Sequence, residues 1–141
     1  MWKTLELSPG LDYKAIYFGV IGGLVIIFTN TIVKTIDIKY FGQLPPLNVA
    51  LTMVLIAVAE EIVIRGFTLP LLVRRTGSTI LGVVGSSIVW AIYHFYVSGQ
   101  DPFYLTTVFV AGLVLGYLDI YTKSLTPGLI AHIMNNLLAI I

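Results

Sequence analysis

The stretch Ala57-Val58-Ala59-Glu60-Glu61-Ile62-Val63-Ile64-Arg65-Gly66 decides the fold, because it sets three ionisable side chains inside an apolar run from 47 to 73. A block of roughly 18 or more apolar residues is long enough to cross about 30 Å of hydrocarbon as a helix. Each ionisable residue at the centre of such a helix costs roughly 2.5–3.5 kcal/mol on insertion scales. Glu61 and Arg65 stand four apart on a helix, acid before base, so an internal ion pair is their cheapest state. Glu60 is rotated by about 100° from Glu61 and has no basic partner at helical spacing. A carboxylate left over in a membrane marks a candidate site.

Outward from this stretch the chain stays apolar. Of its 141 residues 57% are hydrophobic and 11% charged, with a mean hydropathy of +0.95. Ordinary globular proteins are about one-quarter charged, so a soluble domain is excluded. Apolar blocks fall at 13–33, 47–73, 79–97, 103–121 and 125–141. None alternates apolar and polar residues as a barrel strand must, so the predicted class is all-α, a polytopic transmembrane bundle of about five spans. The connector at 34–46 divides an N-terminal helix (1–46) from a block of four (47–141).

Net charge of +1 gives no field for nucleic acid. The absence of cysteine removes disulfides, zinc–thiolate sites and cysteine nucleophiles. No secretory cleavage site follows the N-terminus, so the first block is read as a retained helix. With five spans, Lys3, Lys14, Arg74, Arg75 and Lys123 share one side, against Lys34 and Lys39 on the other, which favours a cytoplasmic N-terminus.

Two further polar pairs sit on apolar helices. Trp90 and His94 share a face, as do His132 and Asn136. Polar groups in hydrocarbon must find one another or water, so Glu60, His94, His132 and Asn136 are expected to converge on one cavity. Glu61 with Arg65 is read as architecture, Trp90 as a packing wall, and Asn135 as interhelical glue pointing elsewhere. Gly85-Ser86-Ser87 lacks the elbow of a serine hydrolase and is read as helix packing. Straight helices would leave His132 about 9 Å from the cytoplasmic end of its span, against about 20 Å for Glu60 and 24 Å for His94. Convergence therefore predicts that the 121–127 connector dips into the membrane and that the helices tilt.

A carboxylate and an imidazole sharing a water can take its proton. A second imidazole and an amide can donate to the oxyanion formed in acyl transfer. The same residues serve equally as ligands of a Zn²⁺-bound water, and the residues alone do not separate the two. No His-Glu-x-x-His helix is present, and Asp101 and Asp119 lie at opposite span ends, which removes an aspartyl dyad.

In order along the chain stand Glu60-Glu61-x-x-x-Arg65-Gly66, Trp90-x-x-x-His94 and His132-x-x-x-Asn136, the last preceded by Phe109-x-x-Gly112-Leu-x-Leu-Gly116-Tyr and Ser124-Leu-x-Pro127. This set resembles the CAAX-processing and bacteriocin-processing intramembrane proteases, the group of the type II CAAX endopeptidases. The resemblance covers the chain from about Leu47 onward and implies a four-span protease core. It implies Glu60 as general base with His94 on the water, and His132 and Asn136 as oxyanion hole. Glu61, Arg65 and Trp90 would support the site. Trp90 departs from the Phe usual at its position.

Family members have been described both as metal-dependent and as metal-free glutamate proteases. With no third compact ligand cluster, the expectation is a site without cofactor, a divalent metal such as Zn²⁺ remaining open. The implied substrate is a membrane-anchored peptide or lipidated, CAAX-type protein, and the implied location a prokaryotic plasma membrane. The chain is short for the family and ends in apolar sequence, which fits a fragment or a homodimer. Two other readings stand beside this one. A non-catalytic immunity or scaffold protein would keep the same fold. A proton relay or small transporter is disfavoured by the lack of repeated halves.

Overall fold

The computed structural model describes residues 7, 10–32 and 44–138. Within them the chain is helical: α1 (Tyr13–Ile32), α2 (Leu47–Glu61), a π-helical segment (Ile62–Thr68), α3 (Leu69–Thr76), α4 (Thr79–Val97), α5 (Pro102–Thr122) and α6 (Thr126–Leu138). Most of the 34–46 connector lies outside the described residues, as does the end of the last expected span.

α2, the π segment and α3 form one rod, Leu47–Thr76, of 30 residues. At 1.5 Å per residue it is about 45 Å long, more than an untilted span needs. Its irregularity has a local cause. Pro70 has no N–H to offer the carbonyl four residues back, and its ring crowds that carbonyl. The ladder slips to five-residue spacing ahead of it, with Leu69 N–H bonding Ile64 O. Thr68 Oγ1 donates to Val63 O, also five residues back, at 2.9 Å.

The ends are set by ordinary capping. Gly77 stops α3 in the left-handed region at φ 68°. Ser78 then caps α4, its side chain accepting Leu81 N–H. Asp101 caps α5 ahead of Pro102, its side chain accepting Phe103 N–H.

Among the described residues four helices are long and apolar enough to cross a membrane: Tyr13–Ile32, Leu47–Thr76, Thr79–Val97 and Pro102–Thr122. The described part of α6 is 13 residues, about 20 Å, shorter than a hydrocarbon core. α6 starts level with α1, where Ser124 Oγ donates to Gly10 O at 3.2 Å.

Polarity is distributed inside-out. Leu24, Phe28, Leu55, Ile62, Phe67, Ile80 and Ile92 are exposed, whereas Glu61, Arg65, Ser86, Ser87, Asp119 and His132 are buried. In water that arrangement would not fold; in hydrocarbon it is the stable one, because lipid solvates the apolar faces and the interior pairs the polar ones. Small residues bring the helices close. A Cβ added at Gly112 would stand 2.9 Å from Ser87 Cβ, so the Ser86-Ser87 stretch is a packing surface for α5. Both hydroxyls donate to Val83 O within their own helix. On the other flank, α1 packs along α6 through Gly19, Gly22 and Gly23, facing Ile130, Ala131 and Met134.

Candidate active site

The end of α2, the C-terminal half of α4 and the second half of α6 bring the expected residues near one another. Glu61 is 2% exposed and Arg65 wholly buried, with Arg65 Nη1 3.2 Å from Glu61 Oε1. This is the ion pair read from their spacing. The same Glu61 oxygen lies 2.8 Å from His132 Nδ1, so the pair also grips the imidazole of α6. A carboxylate only accepts, so His132 Nδ1 carries the proton and its Nε2 is turned the other way. That Nε2 stands 3.7 Å from Glu60 Oε2.

Glu60 has a second partner that spacing alone did not show. Trp90 Nε1–H donates to Glu60 Oε2 at 2.8 Å. Trp90 is thus both the expected wall and a donor. Its ring packs edge-to-face on His132 at 5.2 Å and on His94 at 4.8 Å between centroids. Arg65 Cζ sits 4.3 Å from the same ring, a cation over a π face.

His94 is placed by its own helix: Nδ1 lies 3.0 Å from Trp90 O. A carbonyl only accepts, so Nδ1 donates and Nε2 keeps a free lone pair in the neutral ring. His94, His132 and Asn136 line a cavity of about 260 Å³ together with Trp90, Tyr104 and Thr107. Glu60 is not part of that wall; its carboxylate reaches Trp90 and His132, which are.

Asn135 differs from its expected place. It lines the same cavity as Asn136 instead of pointing elsewhere. Two adjacent helical residues are only about 100° apart, and a cavity bounded by several helices takes in both. Its side chain does act as interhelical glue, for Asn135 Oδ1 accepts Asn30 Nδ2–H at 2.9 Å. Asn30, from α1, also lines the cavity and escaped the sequence reading, although an amide in an apolar block was the signal for it.

Asp119 was passed over as a residue at a span end. It is fully buried, and its Oδ1 accepts the N–H of Gly128 at 2.9 Å, which caps α6 from outside that helix. Gly128 leaves the space for this, since a Cβ there would stand 2.8 Å from Asp119 Oδ2.

Among the described residues no three His, Cys, Asp or Glu side chains form a set that would hold a metal ion.

Residues 42–138, the part of the chain that carries Glu60 to Asn136, match the family described as Type II CAAX prenyl endopeptidase Rce1-like. The chain belongs to this family. A curated relative is the sporulation-killing factor biosynthesis protein SkfC of Bacillus subtilis (strain 168), 24% identical over 159 aligned positions. The alignment takes in 99% of this chain and 30% of SkfC, so the chain spans about a third of its relative's length. No solved structure matches. The Rce1-like match begins after α1, and the helix that supplies Asn30 lies outside it.

Proposed function

We propose that this Rce1-like chain is an intramembrane endopeptidase that hydrolyses a peptide bond near a membrane-anchored C-terminus with water activated by Glu60 and His94. The observation that carries the reading is the 3.7 Å approach of Glu60 Oε2 to His132 Nε2 beside a cavity lined by His94, His132 and Asn136. That arrangement supports reading Glu60 as the carboxylate base and His132 and Asn136 as the oxyanion donors.

In this mechanism a water lies between Glu60 and the free lone pair of His94. Glu60 takes one water proton as the oxygen attacks the scissile carbonyl carbon. The carbonyl oxygen becomes negative and receives hydrogen bonds from His132 Nε2–H and the Asn136 amide. For this donation His132 carries both ring protons, and the set Glu60, Glu61, Arg65 and His132 is then electrically neutral. Glu60 returns the proton to the departing amine nitrogen and the C–N bond breaks, giving a carboxylic acid and an amine, which become carboxylate and ammonium by one further proton transfer between them. Glu61, held by Arg65, fixes the ring of His132 and does not touch substrate.

Family membership supports a lipidated, CAAX-type protein as the substrate class. The test is cleavage of prenylated and plain membrane peptides by the purified chain, with Glu60→Gln in parallel. Loss in the variant with folding intact supports the reading. Cleavage by Glu60→Gln at the wild-type rate removes Glu60 as the base, and no cleavage of any peptide favours the scaffold reading.

A further inference from the structure

A peptide drawn into a membrane cavity brings main-chain N–H and C=O groups that have left water. Each costs several kcal/mol if nothing pairs it. The oxyanion donors serve one carbonyl, so a cavity that admits an extended peptide needs further donors near them.

Asn135 is such a donor. It lies next to Asn136 on α6 and lines the same cavity. Its oxygen is engaged by Asn30 Nδ2–H at 2.9 Å. An amide whose oxygen is held on one side presents its NH₂ group on the other, so Asn30 fixes which half of Asn135 is on offer. Asn30 is 6% exposed and comes from α1, the helix that precedes the family match.

We infer that Asn135, with its amide turned by Asn30, is a substrate subsite that donates to a main-chain carbonyl of the bound peptide adjacent to the scissile bond. This rests on the protease reading above. Asn135 is the binding residue and Asn30 a positioning residue. α1 is on this account part of the substrate site and more than an anchor. Because the donor meets a main-chain atom, the subsite selects extended backbone and not a particular side chain.

Two variants separate the roles. Asn135→Leu keeps the volume and removes both donors. Asn30→Asp leaves Asn135 itself untouched but offers it only acceptors, which turns the NH₂ of Asn135 away from the cavity and its oxygen toward it. Steady-state cleavage of a fluorogenic membrane peptide by the full chain should show KM raised about tenfold in each, with kcat within about threefold, the scale of one lost hydrogen bond. If Asn30→Asp does not fold, Asn30→Leu replaces it and should raise KM about threefold, because Asn135 is then free to turn either way.

An unchanged KM in folded Asn135→Leu overturns the inference, as does a fall in kcat alone. If the wild type cleaves nothing, the protease reading fails and fluorescence anisotropy with the same peptide decides the subsite. Binding weakened about tenfold by Asn135→Leu upholds it, and equal or absent binding overturns it.

Discussion

His132 Nδ1 and Glu61 Oε1 stand 2.8 Å apart, joining the third motif on α6 to the first motif on α2 through a buried hydrogen bond. Arg65 closes on the same oxygen at 3.2 Å, so one carboxylate organises a cation on its own rod and an imidazole on another helix. The i,i+4 spacing made Glu61 the architectural partner of Arg65, but its second bond makes it the orienting group of a site residue.

Glu61→Gln is therefore expected to do two kinds of damage. It leaves a wholly buried guanidinium without its counter-charge, a loss on the order of 3–5 kcal/mol. It also weakens the hold on the ring of His132, whose Nδ1–H is left with a neutral amide oxygen in place of a carboxylate. Thermal unfolding in detergent should show a large drop in melting temperature and low yield; a variant as stable as wild type would contradict the role given to Glu61.

Trp90 tests whether the ring or its N–H matters. Trp90→Phe keeps the face under Arg65 and the edge against His132 but removes the donor to Glu60. Since Phe is the residue usual at this position in the family that the sequence resembles, Trp90→Phe should fold and cleave within about threefold of wild type, the loss of one modest hydrogen bond. Trp90→Ala should be destabilised by about 3–5 kcal/mol through the cavity it leaves. Equal melting temperatures for the two variants would sink this account of the wall.

Asp119 caps α6 through Gly128, and α6 carries His132, Asn135 and Asn136. Asp119→Asn retains an acceptor oxygen and should stay close to wild type in stability. Asp119→Ala leaves a buried N–H unpaired and should cost about 1–3 kcal/mol. Parallel thermal melts check this, and Asn behaving like Ala would show that the charge, not the cap, is what matters.

Much of this architecture is legible from the residues. Ionisable and amide side chains in hydrocarbon have few places to go, which is why His94, His132 and Asn136 line one cavity with Glu60 beside it, reaching His132 from outside that lining, and helical spacing alone put Glu61 on Arg65. Periodicity could not show pairings made between helices, because they depend on tilt and on where each helix begins. That is why the Trp90–Glu60 bond, the Glu61–His132 bond and the Asn30–Asn135 bond appear only in three dimensions. Asp119 illustrates the same limit. A carboxylate near a span end looks solvated along the sequence, and only the fold of α6 back over α5 buries it.

The central claim is that Glu60 activates water from its place beside His132. The most direct measurement is cleavage of a prenylated membrane peptide by the purified chain, compared with Glu60→Gln, with and without a chelator. The account predicts cleavage by wild type that survives the chelator and falls by at least about 100-fold in a folded Glu60→Gln, the scale of a lost general base. Cleavage by Glu60→Gln at the wild-type rate would contradict it. Loss on chelation, restored by Zn²⁺, would instead make a metal ion the activator of the water.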